Sequence, residues 1–326
     1  MTQSEAIEKM NQLGKERIPF FFMVDFLGNR PMVVPLSEVN SDEILYNING
    51  TTNLTIKNAD SSLINRCHFQ KKPIEFQRYQ QAFEKVVSGI NLGNSYLLNL
   101  TFPSSIETNL SLKEIFHHSN APYRLWFRDQ FVVFSPEIFV KIKGGVISSY
   151  PMKGTIDASI PNAEQIILND RKEKAEHATI VDLIRNDLSL VARNVTVDQF
   201  RYIDHLKTNN KDLLQVSSKI SGVLPDNFQK KLGSILFSML PAGSVTGAPK
   251  QKTLEIILEA EQYDRGYYTG IFGIFDGKNI DSSVMIRFIE NTPQGMLYKS
   301  GGGITSFSEP EKEYQELIDK IYVPIT

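Results

Sequence analysis

Apolar residues recur at helical spacing in several stretches of the chain. In "IEFQRYQQAFEKVVSGI" (74–90) the stripe is Phe76, Tyr79, Phe83, Val86, Val87 and Ile90, which predicts an amphipathic helix. The second half of 163–194, "KLGSILFSML", "GAPKQKTLEIILEAEQ" and the terminal 309–322 read the same way. Between them lie short β-like runs bounded by turn residues. "PFFFMVDFLGNRPMVVPL" (19–36) gives two around a Gly-Asn turn, and "SYLLNLTF", "YRLWF", "QFVVF", "IFVKI", "VISSY", "LLQVSSKI", "TGIFGIF", "IDSSVMIRFI" and "GMLYKS" follow. Strands and helices intermix without strict βαβ alternation, so the pattern predicts an α+β fold rather than a doubly wound sheet. A polar, Asn-rich stretch (40–72) sets a boundary near Pro73. It separates a β-rich N-terminal segment (1–72), packed as edge strands, from a main domain (73–326).

Composition narrows the class. Of 326 residues, 41% are hydrophobic and 22% charged, the balance of a globular chain with a sizeable core. A formal charge of −2 and the lack of any lysine/arginine cluster give no case for nucleic acid. Cys67 is the only cysteine, which rules out an intramolecular disulfide and a Cys-based zinc site. The polar N-terminus lacks a signal-peptide core, and "FFFMV" (20–24) is far too short to span a bilayer. A cytoplasmic protein without membrane association is expected.

Two glutamate pairs carry candidate chemistry. Glu173 and Glu176, like Glu313 and Glu316, are spaced to share one helix face. Such pairs are ordinarily solvated surface, but four carboxylates brought together would suit a hard cation with oxygen ligands. A di-iron site would need repeated Glu-x-x-His motifs, and only "EIFH" (114–117) fits. "LPAGSVTGAPK" (240–250) is a Gly-rich turn before a helix, able to offer N–H groups to an anion, though it is no Walker loop. Gly301, Gly302 and Gly303 weaken a strand end unless something must approach the backbone closely. Arg287, within apolar "SVMIRFI", is either at a strand edge or bound to an anion. His117, His118 and His205 have no paired nucleophile, and His177, next to Glu176, reads as a helix residue in preference to a support for that glutamate. Lys153, in "SSYPMKGTID" (148–157), looks placed in a strand-ending loop. From the residues alone it is either a surface lysine or a reacting one.

"SPEIF", "PMKGT", "KAEHATIVDLIRNDL", "LPAGSVTGAPK", "RGYYTG", "VMIR", "SGGGIT" and "EKEYQELIDK", in this order over roughly 73–323, resemble the chorismate-utilising enzymes. That family includes anthranilate, aminodeoxychorismate, isochorismate and salicylate synthases. The resemblance implies two β-sheets packed as a sandwich with helices outside. It implies a Mg²⁺ ion held directly by Glu176 and Glu316 and through water by Glu173 and Glu313. It also implies that Gly154, Thr155, Tyr268, Arg287, the three glycines and Lys320 contact the dianionic substrate chorismate.

Within the family, anthranilate synthases have alanine where this chain has Lys153, whereas aminodeoxychorismate synthases have a lysine that acts as nucleophile. The resemblance therefore points to the aminodeoxychorismate branch, with Lys153 deprotonated through a lowered pKa and Glu137 the general acid, its pKa raised by burial. Ammonia is expected from a glutamine amidotransferase partner. Leu97 occupies the position of the water-activating lysine of isochorismate synthases, which argues against that activity. Leu214 replaces a family histidine linked to pyruvate elimination. The alternatives are anthranilate or isochorismate synthase within the family and, in a different class, a non-catalytic anion-binding protein.

Overall fold

The computed structural model describes residues 1–54, 68–206 and 212–324; Cys67 lies outside them. The described strands form two antiparallel sheets. In the first the order is β11 (Met152–Asp157), β13 (Leu213–Val223), β10 (Val146–Ser149), β9 (Ile138–Lys143), β16 (Ile280–Val284), β15 (Ile271–Phe275), β1 (Phe20–Val24) and β2 (Met32–Pro35), with β12 (Arg193–Leu206) also paired to β13. In the second it is β14 (Gly247–Ala248), β6 (Leu97–Thr108), β18 (Gly295–Ile304), β17 (Phe288–Thr292), β8 (Phe131–Ser135), β7 (Tyr123–Phe127), β3 (Ile44–Ile48) and β4 (Thr51–Thr52), with β5 (Phe69–Lys72) beside β6. The helices are α1 (Gln3–Glu16), α2 (Phe76–Asn91), α3 (Leu112–His118), α4 (Ala163–Asn169), α5 (Arg171–Ser189), α6 (Leu232–Ser238), α7 (Lys250–Glu261) and α8 (Pro310–Asp319).

Side-chain alternation along β1 explains the layering. Phe21 and Met23 point between the sheets, into a core shared with Tyr46, Leu125, Val133, Phe272 and Phe288. Phe20, Phe22 and Val24 point the other way, against Ala6, Met10 and Leu13 of α1. A strand covered on both faces needs apolar residues at every position, hence the unbroken "FFFMV". Each fully buried phenylalanine contributes about 1.5–3 kcal/mol. A third core joins the second sheet to α2, α3, α7 and α8 through Tyr79, Phe83, Ile115, Ile257 and Leu317. The sandwich has helices outside, an α+β architecture as the family resemblance implied.

Several elements differ from the pattern reading. The polar N-terminus folds as α1, closed by a capping box in which Thr2 and Glu5 satisfy each other's backbone amides. The helix expected over the second half of 163–194 starts earlier, at Arg171, where the Asp170 carboxylate accepts the Glu173 amide at 2.8 Å, and a short helix α4 precedes it. Helix α5 ends at Ser189, and the long strand β12 follows. The first 54 residues supply β1 and β2 to one sheet and β3 and β4 to the other, with no sheet of their own.

Candidate active site

The site forms where β11, at the rim of the first sheet, meets β6 and β18 of the second. Gly301, Gly302 and Gly303 lie at the C-terminal end of β18, just before Ile304, paired with Thr101, Leu100 and Asn99. What they exclude is a side chain. A Cβ on Gly302 would stand 3.4 Å from Glu316 Oε1 and 3.7 Å from Glu313 Oε2. One on Gly303 would stand 3.2 Å from Leu97 Cδ1 and 3.5 Å from Lys153 Nζ. Helix α8 packs on β18 and brings Glu313 and Glu316 there, followed by Lys320. The Lys320 ammonium donates to Glu316 Oε1 at 2.6 Å and to the Gly301 carbonyl at 2.8 Å. Burial pulls its pKa below the ordinary lysine value despite Glu316, with Arg287 and Lys153 adding repulsion.

Lys153 and Gly154 sit within β11, where the register with β13 shifts between Met152 and Thr155. Lys153 is thus in an irregular strand and not in a loop. Gly154 has φ +85°, and a Cβ on it would come within 3.0 Å of Glu173 Oε2. The Lys153 ammonium pairs with Glu176 Oε2 at 2.9 Å. The expectation of a lowered pKa is corrected here. Burial does favour the neutral amine, but Glu176, Glu316 and Glu173 more than offset it and hold Lys153 above the ordinary lysine value.

Glu137, between β8 and β9, has its carboxyl pKa raised by burial, against a hydrogen bond from Ser244 and the charges of Lys320 and Arg287. Arg287 is not in a strand: it occupies the turn between β16 and β17 with φ +53°. Its guanidinium lies 5.0 Å from the Tyr322 ring centre, and its buried Nε has no hydrogen-bond partner. A buried cationic donor left open is suited to an anion. Tyr268 is buried beside Phe288. The side chain of Thr155 points to solvent.

The carboxylates fit a hard divalent cation in kind. Glu173 Oε2 is buried without a hydrogen-bond partner, and the missing Cβ atoms of Gly154 and Gly302 leave room beside Glu173, Glu313 and Glu316. Among the described residues, no three Asp, Glu, His or Cys side chains close into a ready-made metal shell. Two of the carboxylates, on Glu176 and Glu316, are neutralised by Lys153 and Lys320.

The profile described as chorismate binding enzyme matches residues 38–326. The chain belongs to that family. It is 52% identical to a Haemophilus influenzae protein called an uncharacterized PabA-like protein, over 99% of this chain and 98% of that one. It is 34% identical to aminodeoxychorismate synthase component 1 of Salmonella typhimurium over 74% of this chain, which spans only 56% of that relative. The crystal structure of anthranilate synthase component I from Streptococcus pneumoniae superposes with a TM-score of 0.66 at 19% identity, covering 92% of this chain and 88% of that one. The fold is therefore that of the chorismate-utilising enzymes.

The structure of this chorismate-binding enzyme gathers Lys153, Gly154, Glu173, Glu176, Gly302, Gly303, Glu313, Glu316 and Lys320 around one point. Glu137, Arg287 and Tyr268 are linked to it electrostatically through Lys320. Leu97 lies there too, while Leu214 is buried in β13 opposite Ile156 and His205. Sequence reasoning missed three supports. His177 is fully buried, bonds Ser218 at 2.7 Å, and is pushed down to about 4 by burial. Ser244 holds Glu137. Arg265, 2% exposed, spans Glu261 and the carbonyls of Asn99 and Val245 at 2.6–2.9 Å. The Glu261–Arg265 helical spacing was the one available signal.

Proposed function

We propose that this enzyme aminates chorismate at C4 to give 4-amino-4-deoxychorismate, the work of an aminodeoxychorismate synthase component I, on the route to 4-aminobenzoate and folate. The observation that carries the reading is the Lys153 ammonium over Gly303, beside the apolar Leu97 and in one charge network with Glu137. A lysine there can serve as nucleophile, and Leu97 cannot activate water.

The deprotonated Lys153 amine attacks C2 of the ring, the two ring double bonds both shift round the ring from C1=C2 and C5=C6 to C1=C6 and C4=C5, and the C4 hydroxyl departs as water with a proton from Glu137. Ammonia then adds at C4, both double bonds return to C1=C2 and C5=C6, and the C2–N bond to Lys153 breaks. The adding ammonia gives up the proton that restores Glu137, so chorismate and ammonia yield the amino product and water. Arg287, Lys320 and the Gly154–Thr155 backbone bind the carboxylates, and Tyr268 packs beside them. Glu176 and Glu316 directly, with Glu173 and Glu313 through water, would hold Mg²⁺, which would supply positive charge for the ring carboxylate and offset the carboxylate charge that keeps Lys153 protonated. Ammonia comes from a glutamine amidotransferase subunit.

Mass-resolved product analysis after mixing the chain with chorismate, Mg²⁺ and ammonium tests the reading. The expected product keeps the enolpyruvyl group and carries nitrogen. Anthranilate with pyruvate, or isochorismate, would overturn it.

A further inference from the structure

Glu137 is fixed by its backbone from two sides. Its carbonyl accepts the Ser283 hydroxyl at 2.6 Å and the Val284 amide at 3.2 Å, and its own amide donates to Ser135 Oγ at 3.1 Å. None of these bonds fixes the carboxyl end. Glu137 lines a cavity of about 20 Å³ whose walls are mainly apolar (Ile138, Phe139, Ile184, Leu188, Met239 and Ala242), with Ser149, Asp187 and Ser244 as its polar side chains. The Ser244 hydroxyl, 107 residues away in sequence, donates to Glu137 Oε1.

Ser244 is itself held on both sides. It is the middle residue of the single 3-10 turn Gly243–Val245. Gly243 abuts α5 so closely that a Cβ would stand 2.7 Å from Asp187 Oδ2 and 3.0 Å from Leu183 Cγ. On the far side, the Val245 carbonyl accepts from Arg265 Nη1 at 2.9 Å. The turn is therefore a rigid mount for one hydroxyl.

We propose that Ser244 is a positioning residue for Glu137: by occupying Oε1 it aims the carboxyl and leaves Oε2 to carry the proton that the reaction uses. This deepens the function proposed above and rests on Glu137 being its acid. The logic is stereochemical. A hydroxyl proton directed at Oε1 makes that oxygen the acceptor in both protonation states, so the acidic hydrogen resides on Oε2. Donation also favours the charged carboxylate, countering burial. The other ionisable groups facing Glu137 are Lys320 after α8, Tyr268 from the loop before β15, Arg287 from the turn after β16, and Asp187 of α5. Asp187 is already neutralised by Lys250 at 2.8 Å.

The test compares Ser244→Ala, Ser244→Thr and wild type in two readouts. The first is the titration of Glu137 followed by its carboxyl infrared band without substrate, with Glu137→Gln as the spectral blank. The midpoint should rise by roughly 1 pH unit in Ser244→Ala, a single lost hydrogen bond to a charged group, and return in Ser244→Thr. The second is chorismate turnover: kcat should fall about 10-fold in Ser244→Ala with KM within about twofold, and the alkaline limb should move upward with the midpoint. Gly243→Ala, which displaces the turn with Ser244 intact, should shift the midpoint the same way. An unchanged midpoint in Ser244→Ala, or a loss confined to KM, overturns the proposal. A shifted midpoint in a chain that makes no aminated product leaves the Ser244–Glu137 pair standing and removes the amination reading instead.

Discussion

Leu97 and Lys153 come from different sheets and converge on one missing side chain. A methyl group on Gly303 would stand 3.2 Å from the Leu97 Cδ1 atom of β6 and 3.5 Å from the Lys153 Nζ atom of β11. An amine pressed between a bare backbone and an aliphatic group is poorly hydrated, and its charge depends on the carboxylates around it.

If Lys153 bonds to substrate, Lys153→Ala should lose nitrogen incorporation by roughly 10³-fold or more, in kcat and not KM. Without ammonium, the wild-type chain exposed to chorismate should gain the mass of chorismate less water on the peptide containing Lys153. An unmodified peptide together with an active Lys153→Ala variant would remove the nucleophile.

The three glycines should separate by experiment. A Cβ on Gly301 would meet the Leu100 carbonyl oxygen at 2.3 Å, so Gly301→Ala should destabilise the fold by about 1–3 kcal/mol in urea titration. Gly303→Ala meets a side-chain methyl and an ammonium, which can give way. It should keep most of its stability and lose kcat/KM by about 10-fold or more, through displacement of Lys153.

Chelation of divalent ions should abolish turnover, and Mg²⁺ should restore it. Glu173→Gln should raise the Mg²⁺ concentration needed by roughly 10–100-fold, the cost of losing a supporting carboxylate. A chain that turns over chorismate unimpaired in excess chelator would count against the metal assignment.

Lys250→Met leaves Asp187 buried without its partner, at a cost of about 3–5 kcal/mol near neutral pH. Burial already raises Asp187, and losing Lys250 raises it further. A carboxyl whose folded pKa exceeds the unfolded one binds protons preferentially in the native state, so its contribution falls as pH rises through the folded value. The deficit against wild type should therefore narrow on going from pH 8 to pH 5. A gap constant with pH in urea titrations would mean Asp187 is not the residue that suffers.

The sequence displayed most of the site's chemistry because that chemistry needs particular residue types: paired glutamates, a lone lysine, adjacent glycines. Its environment was less visible. The carboxylates that keep Lys153 charged come from α5 and α8, about 140 residues apart, so no local reading could weigh them against burial. Ser244 and Glu137 meet only through the tertiary fold. Arg287 sat in an apolar run that reads as strand, but its left-handed φ breaks that run between two sheets. Helix α1 was hidden because Ala6, Met10 and Leu13 are a thin stripe among polar residues, sufficient only because β1 covers it.

The pairing of β1 with β15 also bears on synthesis. Phe20 lies opposite Phe275, so 255 further residues, Phe275 included, must be made after Phe20 before its partner exists. At ~5–20 residues per second the nascent "FFFMV" segment waits roughly 10–50 s for its neighbour. During that interval an apolar strand of high β-propensity has only its hairpin mate β2 to cover an edge. Such a chain has reason to engage chaperones while it is still on the ribosome, and truncations before residue 275 should be insoluble.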